Sequence, residues 1–244
     1  MIPLDQYKFI FAMGAPGSRW SGVLRTIQLR FADINTSDDR PERTYNRQVW
    51  DIKTSQMIDV GWHTGAYWGP CHEFGQGFDN IEKNYTKETF IQECIKPFTN
   101  TNGTMIIKSH WFSYNIEILR EWFPETKFIA VKFGSNLDTF AWWHFVGGWN
   151  ITYPYYTWYK DNETLFEKIQ LENKLIDKYF NCKENTPINK VGKLLGLDLT
   201  LRSVEEICKI DNKFKEQKKN TDITIDHCLQ IFNNAAKKCA IGVI

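Results

Sequence analysis

Two rhythms of apolar and polar positions divide the chain. Unbroken apolar runs stand at Lys8–Met13, Thr104–Lys108 and residues 127–131. Runs of this length predict strands buried on both faces of a parallel sheet. Residues 56–60 read as a further strand. Between the runs, apolar residues recur at intervals of three and four, the spacing of a helix with one buried face. From 19 to 31 that face is Trp20, Val23, Leu24, Ile27 and Phe31. The same spacing predicts helices over 86–95, 116–122 (closed by Pro124), 138–146 and 164–180, the last with Leu165, Ile169, Ile176 and Phe180 as core contacts. Pro187 opens a short helix that Gly196 ends. Ser203 and Glu206 match a capping box, and 225–238 reads as a last helix. Residues 33–55, 61–80 and 147–160 follow neither rhythm and read as loops, the last two rich in glycine and aromatic residues. Strands separated by helices predict a three-layer α/β/α fold with a mostly parallel central sheet. No repeat, low-complexity tract or linker interrupts it, so one domain over residues 1–244 is expected.

Composition narrows the function more than the fold. A net charge of +1 leaves no electrostatic footprint for nucleic acid or an acidic membrane. No apolar stretch is long enough to span a bilayer, and the first residues run straight into a strand-like segment without a secretion signal. The six cysteines form no C-x-x-C pair. Reduced thiols in a cytoplasmic protein are therefore expected. Ten tryptophans stand out, many of them between 111 and 158 among Tyr and Phe. Aromatics chiefly fill cores. Near a glycine-rich polar segment they also suit a pocket for a sugar ring or an aromatic acceptor.

The candidate chemistry lies where two strands end. The run 105–110 delivers Lys108 and His110, two residues apart and so on one side of a strand. An imidazole beside a fixed cation suits transfer of an anionic group onto a hydroxyl: the imidazole removes the proton and the ammonium holds the developing charge. The first strand feeds the first helix through Gly14-Ala15-Pro16-Gly17-Ser18-Arg19-Trp20-Ser21-Gly22. A glycine loop before a helix lets the backbone approach an anion, and the helix start offers N–H groups and a positive dipole end. Ser18 and Ser21 add hydroxyls and Arg19 a full charge. The loop does not match G-x-x-x-x-G-K-[ST], because Arg19 and Trp20 stand where Gly and Lys are needed. His63, Cys71 and His72 match no standard zinc spacing.

With these motifs the chain resembles the PAPS-dependent sulfotransferases, in order over residues 8–145 and more weakly over 190–220. Pro16-Gly17-Ser18-Arg19-Trp20-Ser21 is similar to the family's loop of the type Pro-Lys-Ser-Gly-Thr-Thr. Ile107-Lys108-Ser109-His110 is similar to its Lys-Thr-His strand. Ala130-Val131-Lys132-Phe133-Gly134 and Trp142-Trp143-His144-Phe145 look like the two ends of its 3′-phosphate motif. The resemblance implies a P-loop NTPase-like sulfotransferase fold and sulfuryl transfer from PAPS to a hydroxyl or amine, with PAP as product and no metal. It implies His110 as general base, with Lys108 and Arg19 on the 5′-phosphate and sulfuryl group, and loop amides from Gly17 to Ser21 around them. Lys132, with Ser135 or Thr139, would hold the 3′-phosphate, and Lys215 and Lys218 lie in a neighbourhood that approaches it in the family. Three departures accompany the likeness. The family's loop lysine is Gly17, its 3′-phosphate arginine is Lys132, and its serine has no clean counterpart.

The acceptor, a small molecule or carbohydrate, is expected against His72, Trp62, Trp149 and Tyr155, with Trp68 a further aromatic of the same kind. Two other functions remain open: a non-catalytic nucleotide-binding relic of the fold, and a P-loop small-molecule kinase.

Overall fold

The apolar run Lys8–Met13 is strand β1, in which every residue after Lys8 is buried. In the computed structural model residues 6–35, 48–51, 56–59, 66–69, 80–145, 161–197 and 239–244 are described. Strand β1 is followed by helix α1 (Trp20–Arg30), β2 (Ile34–Asn35), β3 (Gln48–Asp51), β4 (Gln56–Asp59) and β5 (Ala66–Tyr67). Next come α2 (Ile81–Asn84), α3 (Lys87–Ile95), β6 (Thr104–Lys108), a 3₁₀ turn at Trp111–Ser113, α4 (Ile116–Trp122), β7 (Lys127–Phe133) and α5 (Asn136–Phe145). The remaining elements are α6 (Asn162–Tyr179), β8 (Lys183–Glu184), α7 (Ile188–Leu194) and β9 (Cys239–Val243).

The sheet runs β2-β6-β1-β7-β9-β8. The first four strands are parallel, whereas β9 is antiparallel to both β7 and β8. The sheet is therefore mixed and mostly parallel, and β1 lies inside it. Strand β5 pairs with the end of β6, on Ile107 and Lys108, after β2 has paired with its start. Strands β3 and β4 form a separate antiparallel pair.

Alternation along the buried strands sorts their side chains into two cores. Ile10, Ala12, Ile106, Ile129 and Val131 face Val23, Leu24 and Ile27 of α1 and Val191 of α7. Phe9, Phe11, Met105, Ile107 and Phe128 face Phe90 of α3 and Ile116 and Leu119 of α4. Phe11 is fully buried, with its ring 5.2 Å from Phe112, 5.3 Å from Phe123 and 5.6 Å from Phe128. Burial of one such side chain contributes about 2–3 kcal/mol. Helix α6 serves both cores, Leu165 and Ile169 in the first and Ile176 in the second. Three layers result, as the alternation of strands and helices predicts.

Helix ends show why the segments stop where they do. Thr86 and Thr89 form a reciprocal cap on α3, and the Asp161 carboxylate accepts from the Thr164 amide at the start of α6. Pro187 precedes α7, and Gly196 follows it at φ +70.

Six elements depart from the expected pattern. β2 and β3 fall inside 33–55, β5 falls inside 61–80, and α2, β8 and β9 lie where no element is expected. The two-residue strands are too short to carry a period and exist through their partners, β6 for β2 and β5 and β9 for β8. Trp68, expected to be available to an acceptor, is fully buried against Tyr85, Phe90 and Phe112. The capping box at 203–206 and the helix expected at 225–238 lie outside the described residues. Among the described residues no helix is long and apolar enough to cross a membrane, and Cys94, Cys182 and Cys239 form no disulfide.

Candidate functional site

Strand order singles out one crevice. From β1 the chain passes through α1 on one face to β2. From β6 it passes through α4 on the other face and over β1 to β7. Adjacent strands whose connections leave in opposite directions open a gap at their carboxyl ends, where open α/β sheets bind ligands. The loop after Met13 and the residues after Lys108 meet at that gap.

Strand β6 ends at Lys108, and Ser109 fixes its end from both sides. The Ser109 amide donates to the Ala12 carbonyl of β1 at 2.9 Å, and its hydroxyl donates to the Trp68 carbonyl at 2.7 Å. His110 then adopts helical angles (φ −63, ψ −36) and starts the 3₁₀ turn. Lys108 and His110 therefore meet on the α1 side by two routes, the lysine by alternation and the histidine by a turn. Both reach Trp20, the first residue of α1. The imidazole stacks on the indole at 4.4 Å between centroids and 19° between planes. The Lys108 Nζ lies 5.8 Å from the centre of the same ring. Tyr67 meets Trp20 edge-on at 6.0 Å and His110 at 5.7 Å.

His110 is 5 % exposed, and its Nδ1 lies 2.5 Å from the Gly14 carbonyl oxygen. A carbonyl only accepts, so Nδ1 carries the hydrogen and Nε2 keeps the lone pair. Burial pushes the imidazole down to about 3, the Gly14 carbonyl pulls it back up, and the Lys108 charge lowers it. The ring is therefore neutral near pH 7, with its lone pair on Nε2.

The loop is held tightly. The Ser18 amide donates to the Ala15 carbonyl at 2.9 Å, Gly17 sits at φ +84 and Arg19 at φ +63. A Cβ on Gly17 would lie 2.1 Å from the Thr139 carbonyl oxygen, so α5 presses directly on the loop. A Cβ on Gly14 would lie 2.5 Å from the Ser18 Oγ and 2.7 Å from the Val131 carbonyl oxygen. Ser18 is 1 % exposed, and its hydroxyl has no hydrogen-bond partner among the described residues. Helix α1 has no side-chain cap and no acidic residue in its first turn, whereas α3 and α6 have both. Among the described residues no hydrogen bond engages the amides of Arg19, Trp20 or Ser21. Unengaged amides, an uncapped helix start and a buried hydroxyl form the donor set that accepts an oxyanion.

Other candidates are engaged elsewhere. The Arg19 guanidinium lies over the rings of Trp142 at 4.5 Å and Phe133 at 5.1 Å. Lys132 donates to both carboxylate oxygens of Asp177 on α6, at 2.6 and 2.8 Å. The Ser135 hydroxyl donates to Asp138 and accepts from its amide, capping α5. The Ser135 hydroxyl and amide both donate to the Asp138 carboxylate and hold it below its usual range. The Thr139 hydroxyl donates to the Phe133 carbonyl at 2.6 Å and is buried. Pro16 is buried in the loop and Ser21 half-buried in the first turn of α1. His72, Trp62, Trp149, Tyr155, Lys215 and Lys218 lie outside the described residues.

Two polar groups near this end of the sheet escape a reading by motif. Glu172 is fully buried on α6, where its carboxylate accepts from the Tyr114 hydroxyl at 3.2 Å. Its neighbour Asn173 donates to Asn136 at 2.8 Å. A signal for Glu172 does exist in the sequence: positions 165, 169, 172 and 176 form one helical stripe, and a carboxylate interrupts it.

Compared with known proteins, the chain matches no family model, no curated protein and no solved structure.

Proposed function

We propose that the crevice between β1 and β6 binds the phosphosulfate end of PAPS and serves sulfuryl transfer to a hydroxyl or amine. The observation that carries this reading is the meeting of an uncapped helix start with a neutral imidazole and a buried lysine at one switch point. Such a donor set fits a dense anion: the amides of Arg19 to Ser21 and the Ser18 hydroxyl supply hydrogen bonds, and Lys108 supplies charge. PAPS would supply the sulfuryl group, its S–O bond breaking as the bond to the acceptor oxygen forms, with PAP leaving. The His110 Nε2 takes the acceptor's proton. The Gly14 carbonyl keeps Nδ1 protonated and so keeps the lone pair on Nε2. Lys132 and the α5 start are the candidates for the 3′-phosphate, where Lys132 must exchange Asp177 for the ligand.

Thermal stabilisation by PAP is the first test. At 100 times its dissociation constant PAP adds about 2.7 kcal/mol, an upward shift of roughly 5–11 °C for a chain of this size. Lys132→Ala reduces that shift. His110→Ala keeps it and abolishes turnover, a loss on the order of 10²–10⁴-fold for a general base. Substantial turnover in His110→Ala removes the base assignment. Stabilisation only by ATP with Mg²⁺ favours the small-molecule kinase.

A second reading has its own support. Backbone fills the space where a side chain at Gly17 would begin, and Lys132 is committed to Asp177. Both suit a nucleotide-binding relic without chemistry. Stabilisation by PAP, with no consumption of PAPS in the presence of phenol, sugar and amine acceptors, decides for that reading.

A further inference from the structure

We propose that Trp20 is the positioning residue for His110: its indole, stacked on the imidazole, holds the ring where Nδ1–H meets the Gly14 carbonyl and shares the positive charge once Nε2 is protonated. The inference rests on the reading of His110 as the base.

Ring geometry carries the argument. The hydrogen bond from Nδ1 to Gly14 fixes one atom of the imidazole and does not by itself set the plane of the ring. A face-to-face stack at 4.4 Å and 19° sets that plane, and Tyr67 closes one edge at 5.7 Å. Trp20 is itself fixed. It is 8 % exposed, its backbone begins α1, and Tyr67 meets it edge-on at 6.0 Å.

Charge supplies the second half. Proton uptake by His110 is opposed by burial and by Lys108. Arg19 faces Trp142 and Phe133. The Gly14 carbonyl and the π face of Trp20 both favour the imidazolium. An aromatic face stabilises a desolvated cation by enough to change a rate about tenfold. The same indole lies within reach of the Lys108 ammonium, so one ring braces both members of the pair.

Nitrogen-15 NMR of the full chain near pH 7 tests this without turnover. His110 signals are identified by their loss in His110→Gln. Wild type should show one tautomer, with a pyrrole-type Nδ1 and a pyridine-type Nε2. Trp20→Leu, which keeps apolar bulk and loses the π face, should show averaged shifts of mixed tautomers. Trp20→Phe, which keeps a π face, should restore the single tautomer. In assays with PAPS and an acceptor, Trp20→Leu should lower kcat about tenfold and Trp20→Phe should recover it. A single tautomer in Trp20→Leu overturns the proposal, as do mixed tautomers in Trp20→Phe. The Phe variant decides alone if the Leu variant does not fold. Wild-type protein with one tautomer but neither PAP binding nor turnover rejects the functional reading and leaves the role of Trp20 in holding the ring standing.

Discussion

Gly17→Ala is expected to destabilise the protein by about 3 kcal/mol, lowering Tm by roughly 6–12 °C. Two causes add. Gly17 sits at φ +84, where an L side chain costs about 1–2 kcal/mol. The new Cβ would also lie 2.1 Å from the Thr139 carbonyl oxygen. That neighbour is helix backbone, which cannot swing away as a side-chain tip can, so the loop or α5 must move, a displacement worth about 1–3 kcal/mol. Gly17→Lys should be at least as harmful, although it installs the loop lysine that the resemblance to sulfotransferases leads one to expect. Thermal melts of both variants beside wild type check this. A Gly17→Lys variant as stable as wild type would mean that α5 stands off the loop in solution.

Acid should weaken the fold before its carboxylates begin to titrate. His110 is lowered from 6.5 to about 3 in the folded protein. The unfolded chain therefore binds a proton that the folded chain refuses, and stability falls as pH drops through 6.5. The contribution is whole above that pH. It has lost about 2 kcal/mol by pH 5 and about 4 kcal/mol by pH 3. Glu88, Glu117 and Asp138 also have lowered values, from 4.5, 4.5 and 3.8. Their contributions are present above those values and are lost as pH falls further, so pH 5 to 6.5 reports on the histidine. Urea midpoints across that window should slope in wild type and be flat in His110→Gln, whose amide can still donate to the Gly14 carbonyl. A slope that survives the substitution belongs to another group.

The parts of the fold that announce themselves in the sequence are those with a period. β1, β6 and β7 are unbroken apolar runs, and α1 buries Trp20, Val23, Leu24 and Ile27 as its spacing predicts. β2 and β5 have two residues each and no pattern of their own. β9 reads Cys-Ala-Ile-Gly-Val, and its small residues answer to neighbours: a Cβ on Gly242 would lie 2.9 Å from Phe180. At the site, alternation places Lys108 beside the α1 layer, but the strand has ended before His110. Both members of the pair reach the Trp20 ring, a contact across about 90 residues that no local pattern encodes. Arg19 is visible as a charge, not as a direction. Its left-handed backbone sends the side chain to Phe133 and Trp142. Glu172 is legible only when a helical stripe is read for its exception.

The antiparallel seam between β7 and β9 bears on how the chain folds. Phe133 and Cys239 are sheet neighbours separated by about a hundred residues. The parallel core of β2, β6, β1 and β7 is complete by residue 133. Closing the remaining loop costs about 4 kcal/mol of chain entropy before any β9 contact is repaid. Until then β7 has a bare edge of unpaired amides and carbonyls, the kind of surface that recruits strands from other chains. Refolding should therefore show a late phase in which β9 docks, and aggregation during refolding should be concentration-dependent and confined to the time before that phase.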